Sequence, residues 1–338
     1  MNAPVDIGLP GYRHWRRRPA EGTPERVPGS VRRTVTTDML RPEGLQGMLV
    51  LVGRGRDLRT GDGGVTVLGE ARMRAEVDFG RNELRGLWTE PERPALRQVT
   101  GTPAGSGFRR RVLAADPDLP AACGLLHQLL DDVPVTMLVS GYSWATQMLL
   151  HGTGDLSGHP PMFGRDNCAG FADGGTMMTA VDATGQSPMP AGPAAPSLLT
   201  ADPWAWHPLE PLPPLGMRRA RRTDVRPGRD QQADVLFRDS YVRSDGCETV
   251  IHEYTVAVDI DGPSGVIRSI RATPQVLPWV ECPAAAASAQ RLVGAPLAGL
   301  RTLVRETFTG VTTCTHLNDT LRSLEDVPEL LAQAERAA

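Results

Sequence analysis

Apolar and polar positions alternate in two separated stretches of the chain. Residues 71–87, ARMRAEVDFGRNELRGL, alternate, break at Gly80-Arg81-Asn82 and resume. Residues 250–272 do the same around Asp261-Gly262-Pro263. Alternation on either side of a turn cluster predicts a β-hairpin in each. A Leu-Pro, a cysteine and a helical pattern follow both hairpins, in 119-LPAACGLLHQLL-130 and 277-LPWVECPAAAASAQRLVG-294, so Cys123 lies opposite Cys282. An arginine-rich opening precedes both, running to Thr37-Asp38 and Arg41-Pro42 in one and to Thr223-Asp224 and Arg226-Pro227 in the other. The shared order predicts an α+β fold of two related units, each a small antiparallel sheet with helices packed on one face. Duplication of a homodimer's gene would give this pseudo-dimer in one chain.

The same reading divides the chain. Residues 1–31 form an N-terminal arm, partly disordered. Residues 32–151 form the first unit, a worn copy, and 217–338 the second. Residues 152–216 are a connector rich in Gly, Pro and Met. Connectors this long are linkers or functional. Within it, 162-MFGRDNCAGFADGGTMM-178 gathers Arg165, Asp166 and Cys168 with aromatics and paired glycines. It reads either as a lid over a site or as an ordered loop packing its Phe and Met residues.

Composition narrows the class. The 338 residues carry a net charge of -3, which implies no general attraction to nucleic acid or membrane. No apolar run approaches a membrane-spanning length, and the N-terminal residues lack the apolar core of a signal peptide. A cytoplasmic location is expected. The 5 cysteines are dispersed and fit no disulfide framework. Every basic residue is arginine, which reads as a bias of composition.

Candidate chemistry concentrates in the second unit. His252 heads a strand, Cys282 precedes an Ala-rich helix, and Cys314 and His316 stand ahead of the last helix. Thiolate and neutral imidazole are the usual ligands of zinc, and the same donors can hold an iron–sulfur cluster. A helix N-terminus favours a thiolate through its unpaired N–H groups. Taken alone, Cys282 is ordinarily a small buried apolar residue. The first unit keeps only Cys123, with Ala71 where His252 would fall. Asp131-Asp132 reads as a carboxylate pair for acid–base work or, more commonly, a solvated turn, and 218-RRARR-222 as an anion-binding segment or, more commonly, a solvated entry to the second unit. Trp204, Trp206 and His207 either cover the site or pin the connector.

The second unit resembles the bacterial domain of unknown function 2889. The Arg-rich opening, 252-HEYTVAVDIDGPSGVI-267, the Pro278…Cys282 step, Leu292-Val293-Gly294 and 314-CTHLNDTL-321 carry the resemblance. The first unit and residues 162–178 look like the longer actinobacterial members. The family name implies no activity. A more distant resemblance, in fold, is to iron–sulfur scaffold proteins of the IscU and SufU type. It would set His252-Glu253 at the first ligand position, Cys282 at the second and Cys314 at the third, with His316 as an extra or replacement ligand. The first cysteine of that pattern is absent.

The leading expectation is a metal-dependent enzyme, a hydrolase or lyase, acting on a small organic molecule. Zinc would be held by His252, Cys282, Cys314 and His316, with Glu253 or Asp319 as general base. The pocket would lie between the units, under 162–178. The alternatives are a non-catalytic zinc or iron–sulfur carrier and a metal-free protein with structural Cys and His. The chain acts as a pseudo-dimer or associates further as a homodimer.

Overall fold

A computed structural model describes residues 18–150, 164–185 and 187–336. The eight strands are β1 Ser30–Leu40, β2 Leu49–Gly61, β3 Gly64–Asp78, β4 Glu83–Glu90, β5 Met217–Arg226, β6 Asp230–Val242, β7 Glu248–Asp261 and β8 Val266–Val276. Helices α1 Phe108–Ala115, α2 Leu119–Ala122, α3 Gly124–Val139 and α4 Gly141–Leu150 follow the first four strands. Helix α5 Thr176–Thr184 belongs to the connector, and α6 Leu300–Thr307, α7 Thr315–Ser323 and α8 Val327–Glu335 close the chain. The fold is α+β, and both expected hairpins are present as β3–β4 and β7–β8. No helix among the described residues is long and apolar enough to cross a membrane.

The two small sheets are one. All eight strands pair antiparallel in the order β4-β3-β2-β1-β5-β6-β7-β8. The arginine-rich openings, of which 218–222 was expected to be solvated, are the central strands β1 and β5. Their register sets Arg32 against Asp224 and Asp38 against Arg218. Those crossed partners form ion pairs of 2.5 and 2.6 Å. An extra residue interrupts the pairing at corresponding places, Leu68 between β2 and β3 and Ile251 between β6 and β7. The register therefore aligns Gly69, not Ala71, with His252: Gly69 faces Asp57 as His252 faces Asp239.

Alternation sends successive side chains of the central strands to opposite faces. Arg33, Val35, Arg219 and Arg221 point to the helices, while Arg32, Thr34, Arg218 and Ala220 point away. The helix face holds two large apolar cores, one for each half of the sheet. Arginine is tolerated there because each buried guanidinium meets a carboxylate. Arg33 pairs with Asp57 at 2.7 Å, Arg219 with Asp239 at 2.9 Å and Arg221 with Asp132 at 3.1 Å. Asp131 and Asp132 are thus buried inside α3, not in a solvated turn.

The connector crosses the opposite face. Trp206 is 1% exposed and packs with Leu198, Ala220 and Leu236. Its Nε1–H donates to Thr23 Oγ1 at 2.7 Å. His207 reaches Thr34 and Thr36 at 2.9 Å each. These residues pin the connector and do not cover the candidate site. Burial, aided by Arg56 and Arg218, lowers the His207 pKa to about 3. An unfolded histidine takes its proton near pH 6.5. Below that pH the unfolded chain binds a proton that folded His207 refuses, so stability falls on acidification. By pH 5 this loss is about 2 kcal/mol. In urea unfolding at pH 7 and pH 5, the stability gap between wild type and His207→Gln is expected to narrow by that amount.

Candidate functional site

Strands β6 and β7 carry Asp239 and His252 to the helix face, directly opposite each other in register. Helix α7 brings His316 over the pair, and Cys314 stands just before it as the N-cap residue. Cys282 opens a 3-10 helix over Cys282–Leu292. Residues 168–171 of the connector close over these elements. Together they bound a cavity of about 200 Å³. Tyr142 and Trp144 of α4 form one side of it, Met177 and Val181 of α5 another, and His252 and His316 form the polar end.

The histidines share one carboxylate. Asp239 Oδ2 lies 3.3 Å from Nδ1 of His252 and 3.3 Å from Nδ1 of His316. The approach to His252 is too oblique for a well-formed hydrogen bond. The imidazoles stack with centroids 3.7 Å apart. Arg219 grips Asp239 with Nε on Oδ1 at 2.9 Å and Nη2 on Oδ2 at 3.0 Å. The same Nη2 stands 3.0 Å from His316 Nδ1. Arg219 has only protons to give, so His316 Nδ1 accepts and its own proton sits on Nε2. Burial, with neighbouring His252 and Arg219, holds the His316 pKa well below the ordinary histidine value. Burial alone would raise the Asp239 pKa, but Arg219 and the histidines override it and hold the carboxyl ionised.

A metal was expected on His252, Cys282, Cys314 and His316. Among the described residues the donors that converge are Asp239, His252 and His316, all within 4.8 Å of one another, and no cysteine joins them. Arg219 Nη2 already stands against both Asp239 Oδ2 and His316 Nδ1. This guanidinium takes the place of a cation, and the set fits a metal only if Arg219 withdraws.

The thiols Cys168, Cys282 and Cys314 also line the cavity. The expected thiolate is not favoured at this helix start. Burial raises the Cys314 pKa, and the facing amides of Leu317 and His316 only partly offset it. Burial and nearby Cys314 likewise push Cys282 well up and Cys168 to about 12. Gly170 permits this packing: a Cβ there would meet Cys282 Sγ at 2.8 Å. Thiolate fraction and access govern alkylation. Iodoacetamide at pH 8 is therefore expected to modify Cys123 and Cys247 at least about tenfold faster than the three cavity thiols. Peptide mapping against time would check it, with urea making all five sites equivalent.

The other expected site residues fall elsewhere. Glu253 follows His252 on β7 and so points to the opposite face, where it pairs with Arg238 and accepts the Ala20 amide. It is 0% exposed and cannot reach the cavity as a base. Asp319 lies behind the histidines, between Arg219 at 3.1 Å and Arg109 at 2.9 Å. Arg165 and Asp166 are exposed; Arg165 pairs with Asp173 and Asp182. Cys168 alone of that trio lines the cavity. Sequence reasoning missed Asp239 and Arg219. The available signal was a lone carboxylate in the buried phase of a strand, two residues after Phe237.

A family model described as Protein of unknown function (DUF2889) matches residues 217–329. This segment starts with β5 and includes Arg219, Asp239, His252, Cys282, Cys314 and His316. The first half of the sheet and residues 164–185 lie outside it. No curated protein and no solved structure matches the chain, so the likeness to iron–sulfur scaffolds gains no support.

Proposed function

We propose that the protein is an enzyme that moves a proton on a small, largely apolar organic molecule bound in the cavity. One observation carries this reading: two stacked imidazoles share Asp239 at the polar end of an otherwise apolar chamber. With Nδ1 turned to Asp239, His252 offers the Nε2 lone pair as a general base. His316, protonated on Nε2, offers a hydrogen bond to the oxygen on which charge develops. The proton taken by His252 makes an imidazolium, and ionised Asp239, 3.3 Å from its Nδ1, stabilises that charge electrostatically. A site of about 200 Å³ suits a substituted ring, since an apolar cavity of ~150 Å³ accepts benzene. The reaction class is therefore lyase or isomerase.

The second reading keeps the metal. It is favoured by the convergence of Asp239, His252 and His316, a two-histidine, one-carboxylate set of the kind that suits zinc or non-haem iron. An iron–sulfur or zinc carrier built on Cys282 and Cys314 has less support, because neither thiol belongs to a converging donor set among the described residues. We further read the chain as a duplicated pseudo-dimer, cytoplasmic in location, with one site retained. The crossed ion pairs and matched bulges support duplication, and Gly69 marks the half without a site. Metal analysis of the anaerobically purified protein separates the two main readings. One equivalent of zinc or iron, lost in both His252→Gln and His316→Gln, would favour the metal; activity in metal-free protein would favour the histidine pair.

A further inference from the structure

Beside the cavity runs a broad groove of about 1700 Å³, whose wall carries Arg109, Arg110, Arg301, Arg305 and Arg322. Three of these converge on one carboxylate. Asp131 lies 2.8 Å from Arg322, 3.1 Å from Arg109 and 3.6 Å from Arg301. Arg109 also meets Asp319 at 2.9 Å and Arg301 meets Asp326 at 3.0 Å, so this inner layer is an ion-pair network. Within it, Nε of Arg301 and Nε of Arg322 are buried without a hydrogen-bond partner. Arg322 is only 7% exposed, and its Nη1 finds nothing nearer than Asp319 at 3.7 Å. Arg110 is exposed and has no ion pair among the described residues. Arg305 holds only exposed Glu306, at 3.1 Å, a pairing worth little in water.

The groove and the cavity are neighbours. Leu138 and Trp144 line both. A smaller depression of about 490 Å³ shares Thr315 and Leu138 with the cavity and Arg109, Arg305 and Arg322 with the groove. An apolar chamber thus borders a surface on which Arg110 and Arg305 are exposed guanidinium groups with no buried carboxylate partner. We propose that this groove receives the oxyanion end, phosphate or carboxylate, of the substrate whose apolar end fills the cavity. The inference rests on the cavity being the substrate site, but not on the proton step. Arginine suits the role, because its planar fork matches both oxyanions.

Isothermal titration tests it with inorganic phosphate, 4-phenylbutyl phosphate, 4-phenylbutyrate and neutral 4-phenylbutanol. The two tailed anions are expected to bind at least about tenfold more tightly than either inorganic phosphate or the alcohol. The tighter of the two identifies the natural oxyanion. Arg110→Gln with Arg305→Gln, both outside the buried network, should weaken the anions at least about tenfold and leave the alcohol unchanged. His252→Gln should retain anion binding, so a failed proton step would not obscure this result. Equal binding of alcohol and anion, or full affinity in the double variant, would overturn the proposal.

Discussion

Replacing Arg219 with methionine is expected to lower the unfolding free energy by about 3–5 kcal/mol. The guanidinium is 1% exposed and joins three groups that need it. Both Asp239 oxygens receive its N–H groups, Asp319 Oδ2 lies at 3.1 Å, and His316 Nδ1 at 3.0 Å. Methionine fills much of the volume but leaves Asp239 as a buried charge without its main partner. Arg219→Lys should recover little, because a point charge cannot hold two oxygens and an imidazole in one plane. Adding Asp239→Leu to Arg219→Met should restore part of the loss, since an apolar pair replaces an orphaned ion. Urea denaturation of the three variants at pH 7 measures all of this. A loss under about 1 kcal/mol in Arg219→Met would mean that Asp239 is protonated or otherwise satisfied, and the tautomers assigned to the histidines would lose their basis.

The variant also shows why the centre of this fold was hard to read from sequence. Hairpins β3–β4 and β7–β8 were legible because each exposes one face, so apolar and polar positions alternate. Strands β1 and β5 are buried on both faces and carry four arginines, Arg32, Arg33, Arg219 and Arg221, that are almost wholly buried. A run of arginines reads as solvated because the partners that neutralise it are distant in sequence. Asp224 is 192 residues from Arg32, and Asp132 is 89 from Arg221. The same blindness hid the pair Asp131-Asp132, whose arginines come from α1, α6, α7 and β5. It also let two sheets be inferred where one exists, since pairing between β1 and β5 leaves no local pattern.

The candidate site was half legible for a related reason. His252, Cys282, Cys314 and His316 do line one cavity, as their clustering in three segments suggested. Counting donors could not say which of them meet. Strand register brings Asp239 to His252, and alternation turns Glu253 away from both. The thiols stay outside that donor set, and at Cys314 desolvation outweighs the helix N-terminus. In the proposed function the chemistry therefore moves from a tetrahedral Cys–His set to an imidazole pair beside a carboxylate and a guanidinium.

That transfer sets the second large expectation. Once a substrate is found, His252→Gln is expected to lower kcat by about 10²–10⁴, the usual contribution of a positioned general base. Glutamine keeps the approximate shape and a donor toward Asp239, so folding and KM should change little. His316→Phe removes a hydrogen-bond donor to developing charge and should cost about 10²–10³ in kcat. The double variant is expected to lose less than the product of the two, because the imidazoles act as a stacked unit. Single-turnover rates and KM for the four proteins, measured with and without a chelator, make the comparison. Chelator-insensitive activity with this pattern would identify His252 as the base. Activity that disappears with chelator and returns with zinc or iron would instead make both histidines ligands and require Arg219 to swing away from Asp239 on binding. A full rate in His252→Gln would sink both readings, because each assigns that imidazole a direct part in the chemistry.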